Sequence, residues 1–287
     1  MLTITKTLRV LVSAGLLAAG AQSAIAAEGA AIDRQSWPFA GLFGTFDRAQ
    51  LQRGYQVYTE VCAACHELQR VPFRNLSQKG GPEFPEASVR ALAASVQVED
   101  GPNDQGQMFK RPARLSDKPP RLYANPNEAR SIHNGAYPPD LSLMARARSA
   151  DNVPSSWIVH PFLMLRDIAT GYQEGGANYI YALMTGYHDA PAGTQVLEGM
   201  HYNAAFPGHQ IGMANPFAAG DGQVKYEDGT PATVDNYARD VAAFLSWTAD
   251  PRLNERKQLG WAVLLYLIVT SVLLYIGKKR IWARIPH

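Results

Sequence analysis

Cysteine is the scarcest chemically informative residue in this chain of 287 residues, which contains only Cys62 and Cys65. A disulfide between two residues so close in sequence would close too short a loop to remove much chain entropy. A structural zinc site needs four ligands, usually with a second Cys or His pair at short spacing, and no other cysteine exists. The cysteine content therefore argues against both a stabilising disulfide and a zinc site.

A strong excess of one charge is also missing, since 27 Lys and Arg stand against 25 Asp and Glu. No internal repeat or strand-rich region is evident, and we expect no nucleic-acid partner. The balance between basic and acidic residues differs along the chain. Removing Lys6, Arg9, and the seven basic residues and one acidic residue after position 250 leaves 18 basic and 24 acidic residues in 27–250. An acidic surface of this kind would steer a positively charged protein partner.

The stretch "VCAACHEL", residues 61–68, contains both cysteines and, directly after them, His66. A thioredoxin-like redox pair is expected between a strand and a helix, but the residues before Cys62 have helical spacing. The pattern C-x-x-C-H is the attachment signature of a c-type haem, in which two thiols add to the vinyl groups and the adjacent imidazole becomes the proximal iron ligand. We therefore predict one covalently bound haem c, held by Cys62 and Cys65 and ligated by His66.

The first 26 residues have the pattern of an export signal. Lys6 and Arg9 precede an apolar stretch, and Ala24-Ile25-Ala26 forms a small-residue cleavage site of the A-x-A type. The apolar run is too short to cross a bilayer. We therefore predict that residues 1–26 are a signal peptide and that the domain 27–250 is exported to the periplasm.

The other end of the chain contains a second apolar stretch, "LGWAVLLYLIVTSVLLYI", which carries no charge. Its 18 residues would span about 27 Å as a helix, close to the hydrocarbon thickness of a bilayer. We predict a linker at 251–258, a transmembrane helix at 259–277 and a cytoplasmic tail at 278–287. The protein is then a single-pass protein of the inner membrane.

The domain between these ends is predicted to be mainly α, a cytochrome c-like fold with long ordered loops. One helix begins after Asp47 and runs into the cysteine motif, and Gly54 would let another helix cross it closely. A second begins with Thr230 as its N-cap and stops at Asp250. Frequent prolines interrupt the chain between them. Short helices are predicted at 87–96, 126–134, 141–147 and 177–185.

A haem that only carries electrons needs a second axial ligand, whereas a haem enzyme such as a peroxidase keeps that position open. Met213 lies in a loop rich in glycine and proline, "FPGHQIGMANPF", which could lower a thioether onto the iron. Met108, Met144, His209 and His201 stay open as alternatives. From the spacing of the residues alone, the choice is not made.

Several segments resemble the cytochrome c1 family, the haem subunits of ubiquinol:cytochrome c oxidoreductase, and they cover nearly all of the mature chain in order. They include "LQRGYQVYTEVCAACHELQRVPFRNL", "NGAYPPDLSLMARAR", "GGANYIYALMTGY" and "FPGHQIGMANPF". The resemblance implies that Met213 is the sixth ligand. It also implies that Pro138 and Pro139 line the haem crevice and that Arg148 and Tyr179 contact the propionate side.

The resemblance further implies an electron relay from a Rieske iron–sulfur protein to a cytochrome c, in a complex with a cytochrome b subunit. The chain would be a redox subunit and not a catalyst by itself. A stand-alone, membrane-tethered cytochrome c shares the generic features and remains the alternative. The stretch 149–175 is longer than in mitochondrial relatives, and Asn215 stands where relatives often have proline.

Overall fold

The protein is described by a computed structural model that covers residues 32–148, 161–162, 165–166 and 175–283. The predicted signal peptide 1–26 and most of the stretch 149–175 lie outside the described residues. The described part is mainly helical, as predicted. Its α-helices with complete bounds are α1 (Arg48–Val57), α2 (Glu86–Ala94), α3 (Pro126–Ile132), α4 (Met144–Ala147), α5 (Gly175–Thr185), α6 (Val234–Ala249) and α7 (Leu253–Trp282).

Shorter elements lie between these helices. A π-helical turn spans Tyr58–Cys62, and two 3-10 turns span Phe73–Ser77 and Leu141–Leu143. Two small antiparallel ladders also form: β1 (Gln97–Asp100) pairs with β2 (Phe109–Pro112), and β3 (His201–Tyr202) pairs with β4 (Gln210–Ile211). Long irregular segments connect the elements, in agreement with the predicted mainly α fold.

Helix α1 begins where the sequence predicts. The Asp47 carboxylate accepts a hydrogen bond from the Gln50 amide at 2.7 Å, so it caps one of the first-turn donors that have no partner within the helix. Leu51 and Val57 are fully buried on one face of the helix. The helix is therefore fixed at its start by a cap and along its length by apolar burial.

Helices α1 and α6 cross at Gly54. A Cβ atom added to Gly54 would lie 2.1 Å from the Asp240 carbonyl oxygen and 2.6 Å from the Phe244 Cβ, so only glycine permits this approach. The Phe244 side chain is fully buried, with ring centroids 5.6 Å from Tyr55 and 5.9 Å from Tyr58. The predicted close crossing is confirmed, and it forms the centre of the core.

A partly buried ion pair lies at the same crossing. The Arg53 Nε donates to the Asp240 carboxylate at 2.8 Å, and Arg53 Nη1 donates to Asp228 at 2.7 Å. Burial raises the pKa of Asp240, and the hydrogen bonds and charge of Arg53 oppose that rise. The pair links α1 to α6 with a defined geometry beside the glycine contact.

Helix α6 begins later than the sequence predicts. Its N-cap is Thr233, whose hydroxyl accepts from the Asn236 amide at 3.3 Å, and the prediction of Thr230 as the cap is wrong. The Asp221 carboxylate, from outside the helix, accepts from the Val234 amide at 2.8 Å. This contact across 13 residues satisfies a first-turn donor that local sequence signals do not reveal. The helix ends at Asp250, as predicted.

The connection from α6 to α7 consists of residues 250–252. The Asp250 carboxylate accepts from Arg146 at 2.7 Å and from Arg256 at 2.5 Å. Arg146 belongs to α4 and Arg256 to α7. One carboxylate therefore ties the start of α7 to two helices of the domain.

Helix α7 is 30 residues long, and its most apolar window has a mean hydropathy of 2.3 with none of that window buried inside the protein. At 1.5 Å per residue it is about 45 Å long. It is long and apolar enough to cross a membrane. It begins at Leu253, so most of the segment 251–258, predicted as a linker, is helical and continues directly into the apolar stretch.

Candidate haem site

The cysteine motif forms one tight turn at the end of α1. The helix widens into the π-helical turn Tyr58–Cys62, a feature that often marks functional sites. The amides of Cys65 and His66 then both donate to the Cys62 carbonyl, at 3.1 and 2.9 Å. The Tyr58 hydroxyl donates to the His66 carbonyl at 2.9 Å. Both thiols and the imidazole are therefore carried by one turn that is attached to the core helix.

The His66 ring is oriented by a segment distant in sequence. Its Nδ1 lies 2.9 Å from the carbonyl oxygen of Pro139. A carbonyl can only accept, so Nδ1 carries the proton and the lone pair of the neutral ring is on Nε2. Burial lowers the pKa of His66, while the hydrogen bond to Pro139 opposes that shift. A neutral imidazole with its second nitrogen oriented by a carbonyl is the usual form of a metal-ligating histidine.

The side chains of both cysteines are half-buried. Burial, with a smaller effect of the neighbouring Cys65, raises the pKa of the Cys62 thiol to about 12. Reactive redox cysteines have a lowered pKa, so this environment is opposite to that of a thioredoxin-like pair. Within the described ranges, no group of three or more His, Cys, Asp or Glu side chains is placed to hold a metal ion.

The segment that carries Pro139 is held against the chain just after the motif. The Leu141 amide donates to the Glu67 carbonyl at 2.9 Å. The Asp140 carboxylate accepts from the Gln69 amide at 2.6 Å and from the Ser142 amide at 2.8 Å. These hydrogen bonds determine the position of the Pro139 carbonyl relative to His66.

The loop of Met213 approaches the same segment. A Cβ added to Gly212 would lie 3.2 Å from the Ala136 side chain, so the loop closely follows the stretch that leads to Pro138 and Pro139. The Tyr187 hydroxyl donates to the Met213 carbonyl at 3.0 Å. The Met213 side chain is half-buried. The fold therefore brings the Met213 loop and the His66 turn to neighbouring positions on one segment.

The other methionine candidates have different surroundings. Met108 lies beside strand β2, is 55% exposed and has its sulfur 3.3 Å from the Cβ position of Gly101. Met144 starts α4 and packs against the hydrophobic core.

The histidine candidates lie in the β3–β4 hairpin. His201 is exposed on β3. The His209 ring stacks on Tyr202 with centroids 5.8 Å apart, and its backbone has a φ of 57°. His209 lies within the segment FPGHQIGMANPF, ahead of Met213, whereas His201 lies on the opposite strand of the hairpin.

Arg148 and Tyr179 are close to one another. A Cβ added to Gly176, at the start of α5, would lie 2.7 Å from the Arg148 carbonyl oxygen. Tyr179 is buried on α5; burial raises the pKa of its hydroxyl, and the charge of Arg148 opposes the rise. The pair predicted to share a role therefore occupies one neighbourhood.

Residues that position the site were not found from the sequence. Asp140 holds the Pro139 segment, Tyr187 holds the Met213 loop, and the Tyr123 hydroxyl donates to the Cys65 carbonyl at 3.2 Å. Only Asp140 gives a readable signal, because an aspartate just before a short helix is a typical N-cap. The tyrosines act through contacts between distant segments, which leave no local pattern.

The arrangement fits a c-type haem. Two neighbouring thiols and a neutral imidazole with its Nε2 lone pair lie in one turn, and a thioether lies in a loop beside the segment that orients the imidazole. Thiols next to an imidazole, with methionine as a second ligand, are the donor set of such a site. This chemistry supports electron transfer.

Comparison with known proteins agrees with this chemistry. A family model described as the Cytochrome C1 family matches residues 37–285. The chain is 47% identical to cytochrome c1 of Blastochloris viridis, over 93% of this chain and 92% of that protein. It is 43% identical to the mitochondrial "Cytochrome c1-2, heme protein" of Solanum tuberosum, over 83% of this chain and 81% of that protein.

A further relative is longer than this chain. The protein named "Cytochrome b/c1" of Bradyrhizobium diazoefficiens is 46% identical over 278 residues. The match covers 95% of this chain but only 39% of that protein.

Proposed function

The chain belongs to the cytochrome c1 family, and from this premise we propose that it passes electrons from a Rieske iron–sulfur protein to a cytochrome c through one covalently bound haem c. As a member of this family it is an electron-transfer haem subunit of the cytochrome bc1 complex. The observation that carries the proposal is the turn of Cys62, Cys65 and His66, with its imidazole oriented by the Pro139 carbonyl.

Each residue of the site has a proposed role. A c-type haem supplies, when bound, a one-electron couple at its iron. Cys62 and Cys65 would hold the group through thioether bonds, and the His66 Nε2 and the Met213 sulfur would be its two protein ligands. The contact between the Met213 loop and Ala136 supports this pairing, because both ligand segments meet the 136–139 stretch.

The surroundings of the ligands complete the proposal. Pro138 and Pro139 line the haem crevice, and Arg148 and Tyr179 face the propionates. The neighbourhood of Arg148 and Tyr179 supports a shared role. A cation beside a phenol suits a carboxylate that carries negative charge. With His66 and Met213 both holding the group, the protein would exchange only electrons with its partners.

The proposed topology follows from the two ends of the chain. Residues 1–26 direct export, 27–250 form the periplasmic domain, 259–277 cross the inner membrane and 278–287 remain in the cytoplasm. The exposed apolar surface of α7 supports the span. Three basic residues follow the apolar stretch on the side expected to be cytoplasmic: Lys278, Lys279 and Arg280.

A cytochrome b subunit is the proposed neighbour of α7. The name of the Bradyrhizobium relative, "Cytochrome b/c1", joins the two cytochromes in one protein. In this chain, α7 has its apolar surface exposed along its length and offers it to lipid or to another membrane protein. Purification in mild detergent tests this proposal. Recovery of the chain without cytochrome b and Rieske subunits would instead favour the stand-alone tethered cytochrome.

Replacement of Met213 by lysine tests the ligand assignment. An amine in place of the thioether removes a ligand that favours ferrous iron, so we expect a markedly lower reduction potential in a potentiometric titration. The haem should remain attached to the denatured chain, since Cys62 and Cys65 are unchanged. Met108→Lys is the matched control and should keep the original potential. A normal potential in Met213→Lys would exclude Met213 as the ligand.

A further inference from the structure

A turn near the start of the domain, residues 37–46, exposes two large apolar side chains at its tip. Trp37, Phe39 and Phe46 are buried in the core. Leu42 is 43% exposed and Phe43 is 77% exposed. The five residues of the tip, 40–44, contain no charged side chain. The turn therefore presents an apolar point to its surroundings while its two ends are fixed in the protein interior.

The backbone of the 37–46 turn is closely packed. Gly41 has a φ of 68°, a conformation that glycine adopts without steric cost. A Cβ added to Gly44 would lie 2.0 Å from the Ala40 carbonyl oxygen. The Thr45 amide donates to the Pro38 carbonyl at 3.1 Å. The position of the tip is therefore determined by the turn itself.

The same turn is bound to the first part of α7. The Asn254 side chain accepts from the Phe46 amide at 3.1 Å. Lys257 is half-buried, and an ammonium group has three N–H donors. The Lys257 Nζ lies at 2.7, 2.6 and 2.9 Å from three carbonyl oxygens of the turn, those of Phe39, Gly41 and Gly44. Its donors therefore hold the turn against the helix.

The tip also contacts the beginning of the apolar stretch. The rings of Phe43 and Trp261 are parallel, with centroids 4.7 Å apart. Trp261 is the third residue of the proposed span 259–277, at the end nearest the domain. Aromatic side chains concentrate at the interface between a bilayer and water. Phe43 therefore lies at the depth at which the span would enter the membrane.

We propose that Leu42 and Phe43 insert into the interfacial layer of the bilayer on the side of the haem domain. This inference rests on the proposed membrane span. Insertion would remove the exposed apolar surface of both side chains from water, the driving force for interfacial binding of apolar side chains. The domain then contacts lipid at a second point beside α7. Because Lys257 fixes the turn to the helix, this second contact sets the tilt of the domain.

The test measures probe depth in the full chain, purified with its accompanying subunits and reconstituted in phosphatidylcholine vesicles. Leu42→Cys is labelled with a polarity-sensitive fluorophore, and the unsubstituted chain serves as the labelling blank. Lipids with a spin label near the headgroup or deep in the acyl chain then quench the probe. Leu197→Cys, 68% exposed on the domain, is the control for a position in water, and Leu267→Cys reports the span.

We expect the headgroup-level label to quench the Leu42 probe several-fold more strongly than the Leu197 probe, and the deep label to quench the Leu267 probe. Quenching at 267 with none at 42 would overturn the inference and leave the span intact. No quenching at either position would overturn both the inference and the proposed membrane span. A Leu42 probe that is shifted to the blue but not quenched would identify a protein surface as the occupant, which also overturns it. Phe43→Cys repeats the test if the Leu42 variant loses the haem spectrum.

Discussion

The α1–α6 crossing and the haem site are held together by different forces. At the crossing, a glycine contact and fully buried aromatic rings produce close apolar packing. At the site, irregular segments are positioned mainly by single hydrogen bonds to backbone atoms, such as that from His66 to Pro139. Damage to the crossing should therefore cost stability, whereas damage to the site should change ligand geometry at a smaller cost in stability.

The largest expected effect is at the crossing. Phe244→Ala removes a fully buried ring that packs on Tyr55, Tyr58 and Trp247. We expect a loss of about 4 kcal/mol in the free energy of unfolding, from transfer and cavity terms. Denaturant titration of the haem-loaded chain measures it. Phe109→Ala, at a 43% exposed position, is the control and should change stability by about 0.5 kcal/mol or less. Equal losses of unfolding free energy in the two variants would contradict the claim that the crossing contributes most to stability.

Asp140→Ala tests the site itself. It removes the acceptor of the Gln69 and Ser142 amides, and we expect a loss of about 2 kcal/mol. Because Pro139 directly precedes Asp140, loss of these hydrogen bonds should also shift the Pro139 carbonyl and with it the His66 ring. The reduction potential and the electron paramagnetic resonance spectrum of the haem should therefore change. Asp47→Ala, which removes a cap of similar strength on α1, should destabilise the protein and leave both haem readouts unchanged. Identical haem signals in the two variants would show that Asp140 has only a structural role.

A smaller effect is expected on the other side of the site. Tyr187→Phe deletes the hydroxyl that donates to the Met213 carbonyl and should cost about 1 kcal/mol. We expect a weaker sulfur-to-iron charge-transfer band in the near-infrared spectrum of the oxidised protein, because the loop is less constrained. Tyr202→Phe is the control in the adjacent hairpin. An unchanged band in Tyr187→Phe would show that the loop is held by other contacts.

The smallest effect concerns acid stability. The Thr230 amide, and then Arg53, lower the pKa of Asp228 from 3.8 to about 2 in the folded protein. A lowered carboxyl pKa stabilises the fold above the unfolded value, and that contribution is lost as pH falls through about 2. Asp228→Asn should therefore be slightly less stable than the parent above pH 4, with the difference vanishing near pH 2. If denaturant titrations show the same difference in unfolding free energy between the variant and the parent at every pH in this range, the lowered pKa of Asp228 is contradicted.

The sequence predicts the crossing better than the site because the crossing is built from local patterns. The cap at Asp47, the apolar spacing of α1 and the small residue at 54 are each visible within a few positions. The observed start of α6 differs from the predicted one because Asp221, 13 residues away from Val234, satisfies a first-turn donor. Where a distant side chain completes an element, local signals give the wrong boundary.

The site could be predicted only in part for the same reason. The C-x-x-C-H spacing identifies its own cofactor, so Cys62, Cys65 and His66 follow from the motif. Pro139 lies 73 residues from His66, and no spacing rule connects the two. A family resemblance, and not the periodicity of the sequence, distinguishes Met213 from the other candidate ligands. The contact of its loop with the 136–139 stretch is visible only in three dimensions.

The connection between α6 and α7 has a mechanical consequence. Only residues 250–252 separate the helix that crosses α1 from the helix proposed to cross the membrane, and Asp250 binds an arginine on either side. Such a short connection, braced by ion pairs, is a rigid joint and not a flexible linker. If α7 crosses the membrane as proposed, the domain would keep a constant height above the bilayer, and each proposed redox partner would have to supply the reach needed to meet it.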